Sequence, residues 1–303
     1  MKGFGLSADR TNAETQIDQT PMQHLLRTLD LAQTGDLTFS GQSIVTAWSR
    51  VFGGQVIAQA LVAAQRTVPS SLTVHSLHAY FILAGDSALP IDFVVDPIRD
   101  GRSFATRRVV ASQSGRAIFA LSASFQVFEQ GLEHQVEMPD VVGPETLLSD
   151  RQLLAAFGTK LPEAVQRSWA RERPIEFKPV SLKHFMSNEK LPPVQQIWLR
   201  AVGELPDDRH VQTALLAYFS DMTLLDSALY AHGRSIFDPT MQVASLDHAM
   251  WFHGPVDLSG WHLYDQDSPW TGGARGLTRG QIFSTDGRLV ASVAQEGLMR
   301  ERH

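Results

Sequence analysis

The same order of elements occurs twice along this chain, and a chain built by repeating one unit has few architectures open to it. At one turn, Ser112-Gln-Ser-Gly-Arg-Ala-Ile-Phe-Ala-Leu121 matches Ser284-Thr-Asp-Gly-Arg-Leu-Val-Ala-Ser292, so that Gly115 and Arg116 answer Gly287 and Arg288. Leu77-His-Ala-Tyr-Phe81 likewise answers Asp247-His-Ala-Met-Trp-Phe252 to within one residue. In the first copy Val56, Ile57, Ala60, Leu61 and Ala64 fall at helical spacing among small residues, which predicts a closely buried helix from Gly53 to Gln65. Runs of β-branched and aromatic residues then predict strands over 73–83, 91–98, 104–113 and 117–128. Pro90, Asp100-Gly101 and Ser114-Gly115 supply the hairpin turns between them.

A polar arm over residues 1–21 and a short helix from Met22 to about Ala32 precede this unit. Pro139, Pro144 and Pro162 break the rhythm afterwards, and residues 131–172 read as a connection with helix-like pieces such as Glu145 to Phe157. The second copy predicts strands at 175–180 and 194–202, a helical region from Asp208 to Ala231, and strands at 241–252, 260–265, 276–283 and 289–299. The expectation is an α+β chain of two domains, 22–130 and 173–303, each wrapping an antiparallel sheet around a long central helix.

Composition narrows the functional classes. A net charge of -6 with mixed signs leaves no basic face for nucleic acid. The absence of cysteine excludes disulfides, thiolate metal ligands and a cysteine nucleophile. No window approaches the ~18 apolar residues of a membrane span, and the first residues lack a signal-type apolar run, so a soluble, cytoplasmic protein is expected.

The chemistry concentrates in Ser245-Leu-Asp-His-Ala-Met-Trp-Phe-His253, where polar side chains alternate with large apolar ones. Buried polar groups need partners, so this segment is either a satisfied network or a working site. Upstream, Asp221 lies in the apolar run from Leu215 to Leu225. A carboxylate there suits a general base, and it equally suits the N-cap of a helix beginning at Met222. Ser245 lacks the Gly-x-Ser-x-Gly elbow of a hydrolase nucleophile. Histidines 248 and 253, five apart on a strand, point to opposite faces and make no shared metal site, so structural pairing is expected for them.

Five ordered blocks give the chain a resemblance to the acyl-CoA thioesterase II family of double-hotdog proteins. They are Arg50-Val-Phe-Gly-Gly-Gln-Val-Ile-Ala-Gln-Ala60, Val74-His-Ser-Leu-His-Ala-Tyr-Phe81, Asp100-Gly-Arg-Ser-Phe-Ala-Thr-Arg-Arg108, Leu246-Asp-His-Ala-Met-Trp-Phe-His253 and Val293-Ala-Gln-Glu-Gly-Leu-Met-Arg300. The resemblance implies a double hotdog fold and hydrolysis of fatty acyl-CoA to free acid and CoA. It also implies an attacking water held by Asp221, Ser245 and Gln295, with no metal or organic cofactor. Ser245 stands where the family commonly has threonine; it keeps the hydroxyl and loses a methyl. Arg275 and Arg279 are candidates to meet the phosphates of CoA. In the first copy no aspartate stands around Ser49 to Val51 and Ala123 answers Gln295, so one active site per chain is expected. Related sheets associate edge to edge, which implies a homo-oligomer, a dimer or tetramer. A hotdog enoyl-CoA hydratase and a non-catalytic acyl-CoA-binding module remain alternatives.

Overall fold

The computed structural model describes residues 19–44 and 50–302, so most of the expected arm, residues 1–18, lies outside the described residues, as does the first part of the Ser49 to Val51 comparison. Helix α1 (Pro21–Leu29) opens on a capping box in which Thr20 Oγ accepts from the Gln23 amide and Gln23 Oε1 accepts from the Thr20 amide. A hairpin of β1 (Ala32–Gly35) and β2 (Thr38–Gly41) follows. Sequence predicts no strand there, because four residues are too few for a two-residue period to stand out.

Next come α2 (Gly53–Gln65), β3 (Leu72–Phe81), β4 (Ile91–Asp100), β5 (Phe104–Gln113) and β6 (Arg116–Val127), the predicted helix and four strands. Ser114 and Gly115 both take positive φ, 49° and 74°, as a two-residue hairpin turn requires. Beyond β6, Met138, Val141 and Leu147 lie on a small cluster of Trp198, Leu263 and Phe283, and the Trp198 indole donates to Val142 O at 2.9 Å. Two helices, α3 (Asp150–Phe157) and α4 (Glu163–Trp169), complete the connection.

The later elements are β7 (Ile175–Pro179), α5 (Lys183–Met186), β8 (Val194–Ala201), α6 (Arg209–Ser220), α7 (Asp226–Tyr230), β9 (Met241–Ser245), β10 (Asp247–Phe252), β11 (His262–Gly272), β12 (Arg275–Ser284) and β13 (Leu289–Glu301). Three expectations change. The helical region splits after Ser220 into α6 and α7. The strand over 241–252 breaks at Leu246, where the Asp247 carboxylate takes the Glu296 amide at 2.7 Å. The strand expected to end at Asp265 runs to Gly272, because Pro269 sits in an irregularity between Asp267 and Trp270 that needs no ladder bond from it. Between β11 and β12, Gly273 and Ala274 form a tight turn with φ of 55° and 59°.

The thirteen strands among the described residues join one antiparallel sheet in the order β1-β2-β4-β5-β6-β3-β10-β13-β12-β11-β8-β7, with β9 also paired to β13. The seam between the two copies is β3 against β10, where His78 opposes Ala249 and Leu77 opposes Met250. α2 and α6 run antiparallel, for Gln65 reaches the His210 carbonyl at one end while Gly54 abuts the Tyr218 carbonyl at the other. Ile57, Ala58, Ala60 and Leu61 are fully buried, and the side chains of Ile57 and Leu61 each contribute about 1.5–3 kcal/mol by that burial. The fold is α+β and hotdog in type, as expected.

Candidate active site

Three elements bring Asp221, Ser245 and Gln295 together. Asp221 is the residue that ends α6, Ser245 is the last residue of β9, and Gln295 lies mid-strand in β13. The break at Leu246 decides the position of Ser245: it pairs with Gly297, while β10 beyond the break pairs with residues 291–294. Gln295 Nε2 donates to Asp221 Oδ1 at 2.8 Å and to Ser245 Oγ at 2.7 Å, and Ser245 Oγ donates to Asp221 Oδ1 at 3.3 Å. The three residues lie 24 and 50 positions apart in sequence, yet they form one closed hydrogen-bonded triangle.

The first copy contributes to this centre through the start of α2. A helix start leaves several amides without internal partners, and no side chain of the Phe52 cap satisfies those of α2. The Gly54 amide donates to the Asp221 carboxylate instead. Asp221 therefore does serve a helix N-terminus, but that of α2 across the interface. It is the C-cap of its own helix, and no helix begins at Met222. Both glycines are needed for the approach: a Cβ on Gly53 would stand 2.6 Å from Asp221 Oδ2, and one on Gly54 would stand 2.3 Å from the Tyr218 carbonyl.

Burial among such neighbours pushes the Asp221 carboxyl up to about 6, against the opposing hydrogen bonds from Gln295, Gly54 and Ser245. Asp221 nevertheless keeps a partly exposed edge, whereas Gln295 is 1% exposed. A carboxylate in that state is ionised at neutral pH and basic enough to accept a proton.

The chain matches the model of the acyl-CoA thioesterase family over residues 164–298 and that of an acyl-CoA thioesterase N-terminal domain over residues 44–126. It is 43% identical to acyl-CoA thioesterase 2 of Haemophilus influenzae across 92% of this chain and 98% of the relative. With human acyl-coenzyme A thioesterase 8 the identity is 39%, over 90% of this chain and 87% of the relative. The crystal structure of an acyl-CoA thioesterase II from Mycobacterium marinum is 41% identical and superposes with a TM-score of 0.75, covering 91% and 98% of the two chains. The chain belongs to the acyl-CoA thioesterase family.

Other residues singled out from sequence fall elsewhere in this acyl-CoA thioesterase family member. Arg275 and Arg279 project from β12 on the face opposite the trio, since the buried Thr278 between them is the residue that turns inward. Each arginine already has a carboxylate: Arg275 Nε meets Glu296 at 2.9 Å and Arg279 meets Asp267 at 2.5 Å. His253 bonds to Ser292 and His75 to Ser124, so these histidines have local partners remote from Asp221. His248 behaves differently, lying fully buried between Ser220 Oγ at 2.9 Å and Gln295 Oε1 at 3.1 Å. In the first copy the strand position answering Gln295 is Ala123, which pairs with Leu77 and can donate nothing from its side chain.

Sequence reasoning missed Asp226, which lines a narrow cavity with Met222, Thr223, Phe177, Ile197 and Phe237. Its signal was an aspartate inside an apolar helical run. Burial pushes its carboxyl up to about 8. The folded state thus holds that proton more tightly than the unfolded chain, so stability is lost as pH rises from about 4 towards 8. Asp226→Asn removes the titration. Thermal melts should show the variant gaining on the parent by roughly 5 °C between pH 5 and pH 8, and a constant gap would mean that Asp226 ionises freely.

Proposed function

We propose that this protein hydrolyses fatty acyl-CoA to free acid and CoA, with Asp221 activating the attacking water while Ser245 and Gln295 hold the carboxylate in place. The observation that carries this is the convergence of a carboxylate, a hydroxyl and an amide at a helix start whose Gly54 amide meets Asp221. Asp221 Oδ1 is occupied by Ser245 and Gln295, which leaves Oδ2, the oxygen nearer Gly53, to accept from a bound water.

Water bound there gives its proton to Asp221 while its oxygen bonds to the thioester carbon. The carbonyl electrons move onto oxygen, and the positive end of the α2 dipole stabilises that developing charge. Collapse of the tetrahedral species restores the carbonyl and breaks the carbon–sulfur bond. The proton held by Asp221 passes to the departing thiolate, which regenerates the carboxylate. Ser245 and Gln295 keep Asp221 oriented throughout and need not change protonation.

Hydration of an enoyl-CoA on this fold would need an acid and a base on the two sides of a double bond. Asp247 is committed to the Glu296 amide and His248 to Ser220 and Gln295, so both are engaged away from Asp221 Oδ2. Thiol release is to be followed with a series of saturated acyl-CoAs, and absorbance loss with crotonyl-CoA. Release of free thiol is the expected result; crotonyl-CoA consumption without thiol would replace hydrolysis by hydration, and binding without either product would leave a binding module.

The same proposal places the protein in the cytoplasm, in keeping with its cysteine-free sequence, with domains 22–130 and 173–303 joined by 131–172. Among the described residues no helix is long and apolar enough to cross a membrane. Exposed Tyr80, Val94 and Ile98 on the outer face of the first half support a homo-oligomer, a dimer or tetramer, which sedimentation would size.

A further inference from the structure

Gln295 can meet Asp221 in only one of two orientations, and the choice is not made within the trio. A carboxylate accepts hydrogen bonds and donates none, so the amide must present its NH2 to Asp221 and Ser245. Both N–H groups are then used, at 2.8 and 2.7 Å, and the amide oxygen is left pointing away. There it meets the ring of His248, whose Nδ1 lies 3.1 Å from Oε1. Two acceptors cannot face each other at that distance in a buried site, so Nδ1 must carry a proton. The other ring nitrogen then has to accept, and Ser220 Oγ lies 2.9 Å from it. Ser220 has one hydroxyl hydrogen and two candidate acceptors, Nε2 and the Ala217 carbonyl, also at 2.9 Å.

We propose that His248 is a positioning residue for hydrolysis, donating from Nδ1 to Gln295 Oε1 and thereby holding the amide with its NH2 towards Asp221 and Ser245. The opposite tautomer is locally comfortable, since Nε2–H could donate to Ser220 while Ser220 donates to Ala217. It would, however, set two lone pairs against each other at Nδ1 and Oε1 and turn the amide over. Oε1 would then face the Asp221 carboxylate, removing one of the bonds that favour its ionised form and adding a repulsion. Burial keeps His248 neutral near pH 7, its ring pushed down to about 4, so the tautomer is a matter of hydrogen bonding alone. The titratable groups packed round Asp221 besides His248 are Tyr218 and Tyr264, and burial holds both phenols protonated. Tyr264 also fixes the end of α6 by donating to the Ser220 carbonyl at 2.9 Å.

The assignment rests on Asp221 acting as the base, so its test carries an Asp221→Asn arm. Full-length parent, H248F, H248N and D221N are compared by thiol release from palmitoyl-CoA between pH 5 and 9. H248F keeps a ring but loses the donor; H248N keeps a donor at the δ position. H248F is expected to lose about tenfold or more in kcat with little change in KM, and its acid limb should move up by about one pH unit. H248N should regain most of the rate and return the limb. Simple loss of packing would move neither the limb nor the rescue. An H248F variant with the parent's rate and limb overturns the proposal, as does H248N no better than H248F when both melt like the parent. If D221N also keeps the parent rate, the base assignment itself fails; if D221N is inactive and H248F is not impaired, only the role of His248 fails. Nitrogen NMR of the parent ring needs no folded variant: Nδ1–H with an unprotonated Nε2 is expected, and an Nε2–H tautomer overturns the proposal.

Discussion

Replacing Asp221 with alanine is expected to lower kcat for thioester hydrolysis by about two to four orders of magnitude, the usual contribution of a positioned base. The carboxylate is the one group in the trio that can take a proton from water at neutral pH. Ser245 is a hydroxyl already engaged with Asp221, and Gln295 is an amide. Since burial raises the Asp221 carboxyl to about 6, parent kcat should fall tenfold per pH unit below that value, which a pH–rate profile measures directly. The same shift has a stability sign. The folded protein binds the proton more tightly than the unfolded chain, so stability declines as pH rises from about 4 to about 6. Asp221→Asn should therefore melt at or above the parent temperature at pH 7 while being nearly inactive. An Asp221→Ala enzyme that retains the parent rate would remove the aspartate from the chemistry.

The second large effect is expected at Gly54. A methyl at this position meets the Tyr218 backbone carbonyl at 2.3 Å, and a carbonyl within α6 cannot swing aside as a side chain can. The two helices must separate, at about 1–3 kcal/mol for an overpacked contact. The start of α2 moves with them, and the Gly54 amide leaves the Asp221 carboxylate. Gly54→Ala should thus lower the melting temperature and cut kcat by more than about tenfold, even at a temperature where it stays folded. Gly53→Ala provides the contrast, because its methyl would meet Asp221 Oδ2, the end of a side chain, at 2.6 Å. There the expected damage falls mainly on activity. Equal stability of Gly54→Ala and the parent would mean that the helices have room to spare.

These two residues show why parts of the site were legible in sequence and others were not. α2 is legible because its apolar residues recur at helical spacing, and β3 to β6 because turn residues separate alternating runs. The trio residues come from resemblance, since a lone strand glutamine or serine carries no pattern of its own. Their mutual contacts depend on an interruption at Leu246 that no local propensity marks, as Leu suits a strand well. The Gly53-Gly54 pair reads as an ordinary helix start until α6 is packed against it. His248 looks like one of several paired histidines; only its place between Ser220 and Gln295 separates it from His253 and His75. Arg275 and Arg279 show the converse, for strand alternation sends them away from the trio and Glu296 and Asp267 neutralise them.

Sequence alone yields a duplicated α+β chain with one helix and a four-strand run in each copy, because periodicity and turn chemistry are local properties. It also determined that the second copy holds the polar residues and the first lacks them. That the candidate site draws on both copies emerges only from their packing. Antiparallel packing of α2 and α6 carries the unsatisfied amides of one copy to the carboxylate of the other, so the copy with an alanine in place of glutamine still supplies the helix start against which Asp221 is held.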